Sequence, residues 1–128
     1  MLCSKETYII IFIIVIILLF LIFNKRNLEN FTQGVKAKVY NYNTEWCFYS
    51  REFQPIWNSV MESYKSNASV KLEDIKCDKE ENMEKCKNAN IRGFPTVILQ
   101  KSTGETMEYK GPRTVESITS FINNAVNQ

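Results

Sequence analysis

The chain has 128 residues, with 16 Lys and Arg against 14 Asp and Glu, four cysteines and no histidine. The net charge of +2 is small, so the composition does not indicate nucleic acid as a partner. Because histidine is absent and the four cysteines are widely spread, the sequence does not resemble a zinc site, and no metal or cofactor is expected.

An unbroken apolar run at residues 8–23 dominates the N-terminal part of the chain. As a helix it would extend about 24 Å, slightly less than a bilayer core of about 30 Å, and Thr7 and Asn24 can lengthen it. A cleavable signal peptide is the alternative, but no small-x-small cleavage site follows the run. The sequence predicts an N-terminal tail at 1–7, an uncleaved transmembrane anchor at 8–23, a short polar linker at 24–34 and one domain at 35–128.

A strand followed by an amphipathic helix is predicted next. Residues 35–42 alternate as a strand does, and residues 43–45 break that pattern. From Cys47 to about Ser66 the apolar residues recur at helical spacing, and Pro55 inside this helix should kink it. These apolar positions are Phe53, Ile56, Trp57, Val60, Met61 and Tyr64.

Cys47 stands where the strand gives way to the helix, a position that suits a reactive thiol. A cysteine attacks disulfides only as the thiolate, and unpaired backbone N–H groups at a helix start stabilise negative charge. The hydroxyl of Ser50 can also donate a hydrogen bond to that thiolate. The sequence therefore predicts a reactive site formed by Cys47 and Ser50.

The rest of the chain is predicted to form a strand, a short helix, a hairpin and a final helix. Residues 70–75 are predicted to form a strand and residues 80–88 a short helix. Residues 96–100 and 106–109 are predicted to form a hairpin. Thr114 should cap a final helix with apolar residues Val115, Ile118, Phe121, Ile122 and Val126.

The segment Trp46-Cys47-Phe48-Tyr49-Ser50 resembles the redox motif of thioredoxins and protein disulfide isomerases, with serine in place of the second cysteine. Pro55, eight residues after Cys47, matches a proline of that family. Residues 93–96, Gly-Phe-Pro-Thr, resemble its Gly-Tyr/Phe-Pro-Thr loop, and residues 109–114 resemble its Tyr-x-Gly-x-Arg-Thr segment. The resemblance covers about residues 35–127 and implies an α/β thioredoxin-like fold with a central mixed sheet flanked by helices.

The linker shortens the fold that this resemblance implies. A full thioredoxin fold has a strand and a helix before the motif-bearing strand, and residues 24–34 cannot easily hold both. The expected order is therefore β-α-β-α-β-β-α, with the first βα unit absent or abbreviated.

The resemblance also assigns residues around the thiol. Pro95 should follow a cis peptide bond and face Cys47, and a groove for a client should be bordered by Trp46, Phe48, Tyr49, Phe94 and Pro95. The alternative is that Pro95 merely begins the strand after it. Cys77 and Cys86 resemble a cysteine pair that forms a structural disulfide in some isomerase and sulfhydryl-oxidase domains. Two unpaired cysteines in a reducing compartment are the alternative.

Two departures from the family decide the predicted function. Ser50 removes the resolving thiol, and Asn41 stands where the family usually has a buried acid that assists proton transfer. Such a site can form a mixed disulfide but cannot release it by internal attack. The motif resembles that of the client-retaining isomerase of the endoplasmic reticulum, Cys-Arg-Phe-Ser. We therefore expect a monothiol oxidoreductase or isomerase whose partners are client proteins bearing thiols or disulfides. A redox-inactive binding or adaptor module that uses the same groove is the alternative.

The location follows from the anchor and from the charges around it. Lys25 and Arg26 follow the apolar run, which favours a cytosolic domain by the positive-inside rule. A Cys77–Cys86 disulfide would favour an oxidising compartment instead, so the side of the membrane stays open. The composition and architecture resemble small membrane-anchored thioredoxin-like proteins of large DNA viruses, which implies a virion membrane as one location.

Overall fold

The computed structural model describes the backbone of residues 4–32 and 34–128, and the side chains of residues 7–23 and 34–128. The chain divides into two compact units, Met1–Gly34 and Val35–Gln128. Parts of the predicted tail and linker, residues 1–3 and 33, lie outside the described residues.

The first unit contains one helix, α1, at Ser4–Thr32. The side chains described in it, residues 7–23, are all exposed. Among the helices of the described residues, none combines the length and the apolar character needed to cross a membrane. The predicted linker is helical as far as Thr32, because residues 24–32 contain neither proline nor glycine to stop the helix.

The second unit has the predicted order β-α-β-α-β-β-α. Its elements are β1 Ala37–Asn43, α2 Phe48–Tyr64, β2 Val70–Lys76, α3 Glu80–Asn88, β3 Thr96–Lys101, β4 Thr106–Glu108 and α4 Val115–Asn127. The sheet order is β2-β1-β3-β4, with β1 parallel to β2 and antiparallel to β3. The predicted mixed sheet flanked by helices is confirmed, and most of the predicted boundaries agree within two residues.

Helices cover both faces of the central strand β1, which explains why its alternation stops after Lys38. Val39 faces α2 and α4, where Trp57 and Ile118 are fully buried. Tyr40 and Tyr42 face the other way and pack with Ile75 and with Cys86 of α3. Each fully buried large apolar side chain stabilises the fold by about 1.5–3 kcal/mol, so β1 is firmly held where it leads into Cys47.

Two local predictions are confirmed beside this core. Thr114 is the N-cap of α4, and its side chain accepts a hydrogen bond from the Ser117 N–H at 3.2 Å. Cys77 and Cys86 form a disulfide, with their Cα atoms 5.8 Å apart. The bond joins the end of β2 to α3 and so secures the helix that precedes the Phe94–Pro95 loop.

Candidate functional site

Cys47 is the N-cap residue of α2, with an extended backbone at φ −76° and ψ 123°. Its carbonyl oxygen accepts the Arg51 N–H at 3.1 Å, so it begins the helical hydrogen-bond pattern. Its side chain is partly exposed, and it is the one free cysteine among residues 4–32 and 34–128. The thiol therefore lies at the end of a helix where backbone N–H groups lack helical partners.

The environment of Cys47 favours the thiolate. Its pKa is lowered from the ordinary value, first by a hydrogen bond from the Ser50 backbone N–H. Partial burial opposes this effect, while the Ser50 hydroxyl, the Tyr49 N–H and the charge of Arg51 add to it. The direction agrees with the prediction made from the helix-start position.

Ser50 is only 2% exposed and lies beneath the thiol in the first turn of α2. Its Oγ accepts a hydrogen bond from the Thr44 N–H at 3.4 Å. Because that contact uses an Oγ lone pair, the hydroxyl proton is free to be donated to the Cys47 thiolate. Ser50 is therefore placed to donate to the Cys47 sulfur.

Arg51 is a site residue that the sequence analysis missed. Its Nη1 donates to the carbonyl oxygens of Glu45 at 3.1 Å and Trp46 at 3.0 Å. These contacts hold the turn before α2 and keep the guanidinium near Cys47, where its charge favours the thiolate. The available signal was its spacing of four residues from Cys47, since residues so spaced are neighbours along a helix.

The loop before β3 forms the other wall of the site. The Phe94–Pro95 peptide bond is cis, as the resemblance predicted. Phe94 makes the contact with the thiol, because its carbonyl oxygen accepts a hydrogen bond from Cys47 Sγ at 3.6 Å. Pro95 itself is buried. The Trp46 ring meets the Phe94 ring edge-on with a centroid distance of 6.0 Å.

Exposed apolar side chains surround this wall. Trp46, Phe48, Tyr49 and Met83 are 59–68% exposed, and within residues 34–128 they are the exposed large apolar side chains. The Phe48 and Tyr49 rings pack edge-on at 5.7 Å. We call these four residues the apolar surface.

A cavity of about 630 Å³ links Met83 to Phe94. Ile91 and the Cys77–Cys86 disulfide also line it. The sequence analysis missed Met83 and Ile91, because their periodicity fits an ordinary helix and loop. Phe94 belongs to both features, since it lines the cavity and its carbonyl oxygen contacts the Cys47 thiol.

Asn41, the second departure from the family, is fully buried on β1. Its Nδ2 donates a hydrogen bond to the Asp74 Oδ1 on β2 at 2.9 Å. A carboxylate therefore reaches this position from the neighbouring strand, although residue 41 itself is an amide.

Comparison with known proteins places these features in a wider group. The family model described as Thioredoxin matches residues 21–124. A thioredoxin domain-containing protein 5 homolog of Drosophila melanogaster is 26% identical over 97 residues, covering 73% of this chain and 23% of that protein. A thioredoxin domain-containing protein of Acanthamoeba polyphaga mimivirus is 28% identical over 96 residues, covering 73% and 28%. The protein disulfide-isomerase of Ricinus communis is 32% identical over 87 residues, covering 68% and 17%.

Solved structures agree on the fold. Human ERp44 superposes with a TM-score of 0.65 and 22% identity, covering 80% of this chain and 31% of that one. The first two thioredoxin domains of Saccharomyces cerevisiae Eps1p give a TM-score of 0.63 and 20% identity, covering 73% and 36%. The chain spans roughly a quarter or less of the length of the three curated relatives named above, from 17% to 28% of each.

Proposed function

This chain belongs to the thioredoxin family, and we propose that it exchanges disulfides with client proteins through a single thiol, Cys47. The observation that carries the proposal is the placement of that thiol. It is partly exposed at the start of α2, next to Ser50 and Phe94, and its pKa is lowered. Relatives that include protein disulfide-isomerases support thiol–disulfide exchange as the class of reaction.

The reaction begins with attack by the Cys47 thiolate on one sulfur of a client disulfide. The client S–S bond breaks, a Cys47–client disulfide forms, and the other client sulfur leaves as a thiolate that takes a proton from water. Release requires a thiolate from the client or from a small thiol, which attacks the mixed disulfide and returns Cys47 as the thiolate. Ser50 cannot perform this step, because a hydroxyl does not displace a thiolate from a disulfide.

Two groups assist the first step, and a third holds the thiol in place before it ionises. The Ser50 hydroxyl and the Arg51 charge stabilise the thiolate before attack. The carbonyl oxygen of Phe94 accepts from the protonated thiol at 3.6 Å and so keeps the sulfur beside the loop. The reactive sulfur thus lies between the helix start and the loop where a client strand would approach.

The apolar surface supports unfolded or extended polypeptides as clients. A cluster of exposed large apolar side chains is characteristic of a surface that binds another protein. Trp46 and Phe48 directly flank the thiol, so a client held by them presents its sulfur to Cys47. Met83 extends the same surface beyond Phe94, across the cavity that both line.

The experiment that tests this function is capture of client complexes. Cells producing the full chain are treated with an alkylating agent and analysed on non-reducing gels. Disulfide-linked complexes should form with the parent chain and with Cys77→Ala/Cys86→Ala, and should disappear with Cys47→Ala. Complexes that persist with Cys47→Ala would show that this thiol is not the reacting one.

A second candidate is a redox-inactive adaptor that holds a partner on the apolar surface without covalent chemistry. The exposure of Phe48 and Tyr49, at 59% and 62%, favours binding as such. Cys47→Ala separates the candidates, because an adaptor keeps its full affinity for an unfolded client when the sulfur is removed. Lost affinity with intact folding favours the thiol mechanism.

We also propose that residues 8–23 hold the protein at a membrane. The support is an uninterrupted run of apolar residues whose side chains are 45–74% exposed. The full chain should stay with the membrane fraction in alkaline carbonate, whereas a chain lacking residues 8–23 should be extracted. Recovery of the full chain in the extract would contradict the proposal.

The same membrane fraction can show on which side of the membrane residues 35–128 lie. Protease added to sealed vesicles should cleave residues 35–128 if they face outwards and spare them if they face the interior. A virion membrane remains our proposal for one location, supported by the similarity to a mimivirus protein. Purified particles should then carry the chain after removal of attached host membranes.

A further inference from the structure

A cluster of polar side chains joins the three elements that surround the Cys47 turn. Asn41 and Asn43 come from β1, Gln54 from α2, and Asp74 and Lys76 from β2. We call these five residues the Asp74 cluster. Asn41 and Asn43 are fully buried, so their amide groups depend on partners within the protein.

Asp74 is the centre of this cluster. Its Oδ1 accepts hydrogen bonds from Asn41 Nδ2 at 2.9 Å and from Asn43 Nδ2 at 2.8 Å. Its Oδ2 accepts one from Gln54 Nε2 at 3.3 Å and lies 3.4 Å from Lys76 Nζ. One carboxylate therefore ties β2 to the end of β1 and to the first half of α2.

Lys76 closes the cluster. Its Nζ donates to Asn43 Oδ1 at 2.6 Å and to Gln54 Oε1 at 2.8 Å. The amide of Asn43 is thus held at both ends: its nitrogen donates to Asp74 and to the Asn41 and Ile75 carbonyls, and its oxygen accepts from Lys76. Asp74 is paired with Lys76. Removing the charge of Asp74 therefore also leaves Lys76 without its negatively charged partner.

The cluster reaches the thiol through the end of β1. Asn43 is the last residue of β1, and Thr44 follows it. The Thr44 N–H donates to Ser50 Oγ at 3.4 Å, and the Ser50 hydroxyl favours the Cys47 thiolate. The contacts that hold Asn43 in place therefore also hold the neighbouring Thr44 N–H, which orients the Ser50 hydroxyl.

We infer that Asp74 is a positioning residue for the Cys47 thiol, acting through Asn43 and Thr44 on the orientation of Ser50. The inference deepens the proposed function, because it rests on Cys47 being a reactive thiol. The contact between Asn41 and Asp74 at 2.9 Å also disfavours a second acid at position 41. A carboxylate at position 41 would lie about 3 Å from Asp74, and two carboxylates at that distance cannot both be ionised at neutral pH.

The test is the pH midpoint of Cys47 alkylation in the full chain, followed by mass spectrometry of the peptide that contains Cys47. The midpoint should rise by about half a pH unit in Asp74→Ala. At a pH below both midpoints, this rise makes the alkylation of Cys47 about threefold slower. Asp74→Asn keeps the shape of the side chain and should give a smaller rise. Thermal unfolding checks that each variant is folded. If Asp74→Ala does not fold, the Cys47 midpoint of Asp74→Asn tests the inference.

Glu73→Gln is the matched control. Glu73 precedes Asp74 on β2, but its carboxylate pairs with Lys85 at 2.7 Å, outside the cluster. Its removal should leave the Cys47 midpoint unchanged. An unchanged midpoint in a folded Asp74 variant would overturn the inference, because the cluster would then support the fold without affecting the Cys47 thiol. A lowered midpoint would overturn it by showing that the charge of Asp74 acts on the sulfur directly.

Exchange of the two groups supplies a rescue. Asn41→Asp alone should lower the thermal midpoint more at pH 7 than at pH 4, because the two carboxylates can share a proton at the lower pH. Asn41→Asp/Asp74→Asn restores one charge and one amide at this contact and should be more stable at pH 7 than Asn41→Asp, but its Cys47 alkylation midpoint should stay raised as in Asp74→Asn, because the carboxylate contacts with Gln54 and Lys76 are lost. Failure of the proposed function is distinct, since it would appear in the parent chain as an ordinary alkylation midpoint or as absence of client complexes.

Discussion

The Sγ of Cys47 lies 3.6 Å from the carbonyl oxygen of Phe94, although 47 positions separate the two residues in the chain. This contact joins the start of α2 to the loop before β3. It brings the Cys47 sulfur to the backbone of that loop.

The Cys47 thiol should react as a thiolate at a lower pH than a free cysteine. Its pKa is lowered, mainly by the Ser50 N–H, so the alkylation midpoint should lie below the free value of about 8.5. Because the pKa is lower in the folded state, ionisation of Cys47 stabilises the protein above the unfolded pKa. That stabilisation is lost as the pH falls through the folded pKa. A midpoint at or above the free value would contradict the prediction.

Arg51 should contribute to this acidity through its charge. Arg51→Gln should raise the Cys47 alkylation midpoint, because the positive charge near the sulfur is lost. Since the side chain is exposed, the difference from the parent should shrink in high salt. Arg51→Lys is the control that keeps the charge, and it should shift the midpoint less. Equal shifts in both variants would assign the effect to the contacts with Glu45 and Trp46 instead.

Ser50→Cys should shorten the lifetime of client complexes. The new thiol would stand where the Ser50 hydroxyl now favours the Cys47 thiolate, and it can attack the mixed disulfide from within. Complexes followed on non-reducing gels after removal of free thiols should decay faster than those of the parent. Ser50→Ala, which has no attacking group, should form complexes more slowly but keep them. Unchanged lifetimes in Ser50→Cys would indicate that the aromatic surroundings, rather than the missing sulfur, retain the client.

Loss of the Cys77–Cys86 disulfide should weaken the fold without removing the reactive thiol. The sequence separation of 9 closes a short loop, and its loss should lower the free energy of unfolding by about 2–3 kcal/mol. Denaturant unfolding of Cys77→Ala/Cys86→Ala measures the effect, and Cys47→Ala serves as the cysteine variant that leaves the disulfide intact. The same unfolding midpoint for both variants would show that the disulfide does not stabilise the domain.

Met83 should affect the capture of apolar clients. Met83→Lys places a charge on the apolar surface and should slow complex formation severalfold, while the alkylation of Cys47 by a small reagent stays unchanged. Met83→Leu keeps the apolar character and should behave like the parent. If Met83→Lys captures clients at the parent rate, then the surface used by the client ends at Phe94.

Much of the fold was predictable because its signals are local. The strand before Cys47, the cap at Thr114 and the cis bond before Pro95 each depend on a short segment or on a family motif. The contact between Asn41 and Asp74 was not predictable, because it depends on the register that sets these two residues opposite each other in parallel strands. A strand pattern fixes which face a residue takes but does not fix its partner.

The side-chain environment of the site was also hidden from the sequence. Met83 has the spacing of an ordinary helical residue, and only the packing of α3 reveals that it is 59% exposed. Arg51 resembles any charged residue in a first helical turn until its two carbonyl partners are known. Both depend on tertiary packing, which the local pattern does not encode.

The position of β2 at one end of the sheet order has a consequence for solubility. Within the described residues the outer edge of this strand has no partner strand, and such an edge can recruit other extended chains into aggregates. The strand, Val-Lys-Leu-Glu-Asp-Ile-Lys, carries charges of both signs at alternating and adjacent positions. Charged edges of this kind disfavour strand addition. The charges on β2 thus protect this edge of the sheet from pairing with the extended client chains that we propose the protein receives beside Cys47.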